Sequence, residues 1–190
     1  MKSVTTVKGR PRSLEARQAI IEAFTELVRQ LGYSKVTIDG VAKAAGVGRS
    51  TIYRWYKDKS EIALDAASDY SLQTVHMPLS GDFESDFRAF LQNTFAIGNE
   101  LGTMYTVLMA EAQANTEFAK RVWDKYSSIR REHLEEILKQ KGGWPASLST
   151  TFMLDLVFGG IWYRLMSGHA PLDDTFADEL YDSVSHLLSK

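Results

Sequence analysis

Cysteine is absent from the chain, which excludes structural disulfides, thiolate-bound metals and thiol catalysis together. Proline is scarce: the four residues at 11, 78, 145 and 171 all fall between segments of helical periodicity, where a missing N–H does little harm. No run of about 18 apolar residues occurs, so no segment reads as a membrane-spanning helix. The N-terminal MKSVTTVKGRPR also lacks the apolar centre of a secretory signal. From these absences we expect a soluble, cytoplasmic protein.

Catalytic chemistry is equally thin. The histidines, His76, His133, His169 and His186, are widely separated. The nearest approach to a metal pattern is His133 with Glu132 and Glu136, a spacing that recurs by chance on charged helices. There is no glycine-rich phosphate loop after a strand and no nucleophile elbow. The acidic cluster Glu132, Glu135 and Glu136 reads as a solvated helix face with Arg130 and Arg131 beside it. We therefore expect no enzyme, no metal and no cofactor.

Charge is present, but unevenly distributed. The net charge of -2 over 190 residues hides a division near residue 60. Up to that point twelve basic residues stand against five acidic ones, a net of +7, which leaves -9 for the remainder. A polyanion is attracted to the first part and repelled by the second.

Within the basic part, Thr37 to Lys59 reads TIDGVAKAAGVGRSTIYRWYKDK. Ile38, Val41, Ala42 and Ala45 recur at helical spacing and Gly46-Val47 makes a turn; Ile52 then points inward from a second short helix. Ala42 allows the two helices to cross closely, and Gly46 can take the positive φ of a sharp turn. The second helix is polar at its start: Arg49, Ser50, Thr51, Tyr53, Arg54 and Trp55 carry donors for phosphates and base edges. A hairpin serving only the core would not need them.

The run Val36 to Leu64 resembles the N-terminal domain of the TetR family of bacterial transcriptional regulators. The matching residues are Thr37, Ala45-Gly46-Val47, Ile52-Tyr53, Tyr56 and Lys59. Two positions depart from the family pattern. Gly48 stands where Ser or Thr often caps the recognition helix, and Trp55-Tyr56 replaces a common His-Phe pair. The resemblance implies that Thr37 lies against the DNA backbone and that Lys59 contacts a phosphate. For Lys59 the residues agree, since a cation in the first turn of a helix opposes its dipole unless an anion is near. Arg10 and Arg12 belong to a basic arm suited to the minor groove, or are a solvated tail.

The rest of the chain reads as further helices. Ser13 is the expected cap of the first, whose apolar face is Ile20, Phe24, Leu27 and Leu31. Helices are also expected after Asp58, after Asp82, at 103–114, from about 116 through Leu138, at 146–167 and after Pro171. In the middle of the chain Phe87, Phe90, Met104, Tyr105, Met109, Trp123 and Tyr126 form either a cavity lining for an apolar ligand or an ordinary core. Gly159-Gly160 inside an apolar helix suggests close approach of another helix. The resemblance implies that the last two helices pair with a second copy, through Phe152, Leu156, Gly159, Gly160, Tyr163, Phe176, Leu180, Val184 and Leu187.

The expected fold is thus all-α, with about nine helices. Residues 1–60 form a three-helix helix-turn-helix DNA-binding domain, and residues 61–190 a helical effector-binding and dimerisation domain. The expected function is a repressor that binds a palindromic operator as a homodimer and is released by a small-molecule effector. DNA contacts are assigned to Arg10, Arg12, Thr37, Gly48, Arg49, Ser50, Thr51, Tyr53, Arg54, Trp55 and Lys59. Two alternatives are an architectural DNA binder without effector and an enzyme carrying a DNA-targeting module.

Overall fold

The computed structural model describes residues 11–75, 79–142 and 148–189. Among them the regular structure is helical throughout, with no strand. Helices α1 (Pro11–Leu31), α2 (Ile38–Ala44), α3 (Arg49–Tyr53) and α4 (Lys59–Val75) come first. They are followed by α5 (Phe83–Ala114), α6 (Thr116–Val122), α7 (Ser128–Lys139), α8 (Thr150–Ser167) and α9 (Asp174–Leu188). The chain divides into two compact units, Met1–Ala66 and Ala67–Lys190. The division falls inside α4, six residues after the expected boundary at residue 60, which also lies within that helix.

The first unit is held by the side chains that periodicity selects. Ile20, Phe24 and Val28 of α1, Val41 of α2, Ile52 of α3 and Ile62 of α4 are buried together with Tyr33 and Val36. Leu31, expected on the same face, is exposed. Helix α1 begins at Pro11 and so contains Ser13. Proline suits this first position, because its N–H would be unsatisfied there and its φ is already helical. Asp65 of α4 ties the unit together: it accepts from Arg17 Nη2 at 2.9 Å and from the Tyr56 hydroxyl at 3.0 Å. Tyr56 is a core residue with a polar anchor.

In the second unit one apolar cluster joins Phe83, Phe87 and Leu91 of α5 to Leu134 and Ile137 of α7, Met153 and Val157 of α8, and Leu180 and Val184 of α9. Two expected helices, ending and starting near Gly102, are one element, α5, broken by a non-helical Leu101. Two glycines flank the break. A Cβ on Gly98 would lie 2.8 Å from Leu172 Cδ1, and one on Gly102 2.9 Å from Leu165 Cδ1, so a larger residue at either position would displace those side-chain ends. The single helix expected from 116 to 138 is interrupted by one π-helical turn, Trp123–Ser127. Helix α8 starts at Thr150 with Ser149 as its cap, later than the expected 146.

The interface expected on α8 and α9 divides. Phe176, Leu180 and Val184 are buried in the cluster of their own protomer, and Leu187 packs against it. Gly160 faces inward as well: a Cβ there would meet the Phe176 ring at 3.2 Å. Those residues serve internal packing, because α9 turns its apolar stripe to α5 and α8. What stays open is a stripe on α8. Phe152 is 50% exposed and Tyr163 67%, with Leu156 and Met166 also exposed and Gly159 open between them.

Candidate functional site

In the first unit, α2 and α3 are joined by a turn whose geometry follows from its residues. The Thr37 Oγ1 caps α2 by accepting from the Gly40 amide at 3.1 Å. At the other end, the Val47 amide donates to the Ala42 carbonyl at 3.0 Å and the Gly46 amide to Lys43 at 3.3 Å. These are the two bonds of a Schellman motif, and Gly46 takes the positive φ of 65° that the motif requires. Helix α3 starts at Gly48, which is extended (φ −74°, ψ 149°) and supplies no side-chain cap. A Cβ at Gly48 would meet only Ser50 Oγ at 3.6 Å, so neither space nor backbone demands glycine.

Helix α3 buries Ile52 and exposes Arg49, Ser50, Tyr53 and Arg54; Thr51 is half-buried. Tyr53 is 50% exposed and the following Trp55 38%. Arg49 is not wholly free: its Nε lies 2.9 Å from Asp39 of α2. A hydrogen bond with Tyr53, and then Asp39, hold its guanidinium above arginine's ordinary range. The pair is exposed and therefore easily exchanged for another anion.

Lys59 departs from the expectation. Its Nζ donates to the carbonyls of Tyr33 at 3.1 Å and Val36 at 3.2 Å, with Ser34 at 3.5 Å, and sits 4.4 Å from the centroid of the Tyr33 ring. The ammonium closes the turn between α1 and α2 instead of standing free for a phosphate. Carbonyls at the end of the Tyr33–Lys35 turn supply the negative ends of dipoles that the first turn of α4 does not. Arg10 lies outside the described residues, and of Arg12 only its place in α1 is described.

The second unit holds a cavity of about 340 Å3 between α5, the π-helical turn with α7, and α8. Tyr105, Trp123 and Tyr126 line it as expected, joined by Phe158, Trp162 and Leu165. Four expected lining residues do not. Phe87, Phe90 and Met104 are buried in packing, and Met109 is half-buried outside the lining; the face of α5 turned to the cavity is that of Thr94, Ile97, Gly98 and Tyr105. Burial pushes the Tyr105 hydroxyl well above its ordinary range, and that of Tyr126 upward; the two share a hydrogen bond. Sequence reasoning missed Arg130 and Arg131. Arg131 pairs with Asp155 at 2.8 Å, while Arg130, read as part of a solvated face, is only 4% exposed. Its register with Tyr126 and Leu134, four residues to either side, was the available signal. Glu132 and Glu136 are exposed while His133 is buried, so those three side chains do not converge.

Residues 20–66 match the family model for bacterial regulatory proteins of the tetR family. Residues 77–184, more than half of the chain, match the model for tetracyclin repressor-like C-terminal domains. The chain belongs to the TetR family. As a TetR-family protein it is a helix-turn-helix, DNA-binding transcriptional regulator. The uncharacterized HTH-type transcriptional regulator YdeS of Bacillus subtilis (strain 168) is 27% identical to it over 178 residues, covering 91% of this chain and 89% of YdeS. The crystal structure of the TetR family transcription regulator SCO0332 matches with a TM-score of 0.74 at 28% identity, over 92% of this chain and 97% of that one. The regulator FadR from Bacillus subtilis matches with a TM-score of 0.65 at 21% identity, over 90% and 96% of the two chains, a likeness of fold. Among the described residues of this TetR-family chain, no helix is long and apolar enough to cross a membrane.

Proposed function

We propose that the protein is a ligand-responsive repressor that binds a palindromic operator as a homodimer and leaves it when a small molecule occupies the cavity of the second unit. The observation that carries this reading is the exposed polar face of α3, within the first sixty residues, whose net charge is +7. Arg49, Ser50 and Thr51 are assigned to base edges, and Arg54, Tyr53, Trp55 and Thr37 to phosphates. Gly48 brings the backbone at the start of α3 close to the duplex. Lys59 acts indirectly, by holding the turn that positions α2.

A two-fold operator needs two copies, with recognition helices about 34–36 Å apart or a multiple of that. The exposed stripe Phe152, Leu156, Tyr163 and Met166 on α8, with Gly159 open at its centre, supports a helix-to-helix contact between copies. The cavity, of a size ordinary for small-molecule sites, supports the effector. FadR from Bacillus subtilis, which shares the fold, has been solved in complex with stearoyl-CoA. Any effector shifts the protein between operator-binding and released states only by its differential affinity for the two.

Operator selection from random duplexes tests the reading directly, and a palindrome is expected. On that operator, Arg49→Ala should cost about 1–3 kcal/mol and relax preference at one base position. Enrichment of no sequence, or an unchanged preference in the variant, counts against it.

A further inference from the structure

Arg130 gives the cavity a charge that no carboxylate among the described residues pairs with. The residue is only 4% exposed, lines the cavity, and donates through Nη2 to Thr94 Oγ1. Thr94 in turn donates to the Phe90 carbonyl at 2.6 Å, which fixes that hydroxyl as an acceptor for Arg130. The guanidinium carbon lies 5.2 Å from the Phe90 ring centroid and 6.0 Å from that of Tyr126. Among the described residues no carboxylate lies within 4.0 Å of it. The one acid in the cavity wall, Asp155, is paired with Arg131 at 2.8 Å. The wall therefore carries two cations and one anion, a surplus of one positive charge. Burying a cation without a counter-ion is strongly unfavourable, and an arginine has five N–H donors to satisfy.

We infer that the cavity's ligand is a monocarboxylate with a flat, apolar body, its carboxylate paired to Arg130. This rests on the effector reading of the cavity and names the class of molecule that fits it. A single carboxylate matches the single surplus charge and the planar guanidinium. A dianion such as a phosphate monoester would leave one negative charge uncompensated among apolar walls. A cation would meet Arg130 directly. The flat body follows from Trp123, Tyr126, Phe158 and Trp162, whose rings line the rest of the space.

Calorimetric titration of the full chain at pH 7.4 with three matched probes tests the inference: 2-naphthylacetate, its neutral amide, and the corresponding 2-naphthylethylammonium. The acid should bind about ten- to a hundredfold more tightly than the amide, and the ammonium weakest of the three. In Arg130→Gln the acid should fall to the level of the amide while amide binding persists; Arg130→Lys should keep part of the preference. Should Arg130→Gln not fold, the ranking on the natural protein decides alone. Equal or tighter binding of the amide or the ammonium overturns the inference, as does a preference that survives in Arg130→Gln or the absence of binding by all three at millimolar concentration. Release from the selected operator is measured separately. An acid that binds selectively yet leaves the DNA complex intact refutes the effector reading and leaves the ligand class standing.

Discussion

At the scale of single residues, Lys59 shows how an ammonium read as needing a negative partner finds carbonyl partners within its own chain. The helix dipole argument requires an electronegative group near the first turn of α4, and the carbonyls of Tyr33 and Val36 provide it from within the chain. These carbonyls are brought there by chain folding between residues 23 and 26 apart in sequence, which no local pattern reveals. Lys59→Met should therefore destabilise the first unit by about 1–3 kcal/mol, the range for hydrogen bonds to a charged group. Urea denaturation followed by circular dichroism measures it, and an unchanged midpoint would remove the clamp. The glycines at 46 and 48 were a different case. Gly46 was legible because its position in the turn demanded positive φ, whereas Gly48, with ordinary dihedrals and free space, has no structural requirement that we can identify.

At the scale of elements, Asp86 governs how α5 begins. Its carboxylate accepts from the Ser80 amide and hydroxyl at 2.9 and 2.7 Å, from the Gly81 amide at 3.1 Å, and from Gln140 Nε2 beyond the end of α7 at 2.9 Å. Burial alone would raise its pKa, but the bonds from Ser80, Gln140 and Gly81 outweigh that and hold it below the usual aspartate value. A depressed carboxylate pKa contributes stability that is present above the unfolded value of about 4 and is lost as pH falls towards the folded one. Asp86→Asn should cost about 1–3 kcal/mol at pH 7 and flatten the decline in stability between about pH 5 and 3; thermal melts across that range check both. Helix α8 offers a second contrast between its two faces. Tyr163→Glu, on the open stripe, should shift sedimentation towards monomer with the fold retained, because a charge placed in an apolar interface loses its hydration. Gly160→Val should instead lower the melting temperature, through its 3.2 Å approach to Phe176. A dimer undisturbed by Tyr163→Glu would exclude this stripe as the interface.

For the whole molecule, the division of charge, +7 in the first sixty residues and -9 in the rest, makes association with a duplex strongly dependent on salt. Each neutralised phosphate should contribute about -0.9 to the slope of log affinity against log salt, and Arg54→Ala should remove about one such unit from every duplex alike. A slope unaltered by the substitution would take Arg54 off the backbone. The helical class, the helix-turn-helix and the charge division were legible from sequence because each is written in neighbouring residues: apolar spacing, the Gly46 turn, and the run of donors from Arg49 to Trp55. The inner residues of α9, expected at an interface, are buried in the core of their own chain, and the pattern could not show this for the opposite reason. An apolar stripe such as Phe176, Leu180 and Val184 is the same pattern whether it meets its own core or a second copy, and only packing distinguishes them. The cavity was half legible for a related reason. Tyr105, Trp123 and Tyr126 could be singled out as aromatics, but which face of each helix looks into the cavity is decided by how the helices pack. Sequence by itself determined what each helix is made of and which end of the chain carries the basic helix-turn-helix, since local periodicity and charge are properties of neighbours. Tertiary structure alone decided that Arg130 is buried beside Tyr126 with no carboxylate among the described residues paired to it, because burial is a property of what the rest of the chain brings to a residue.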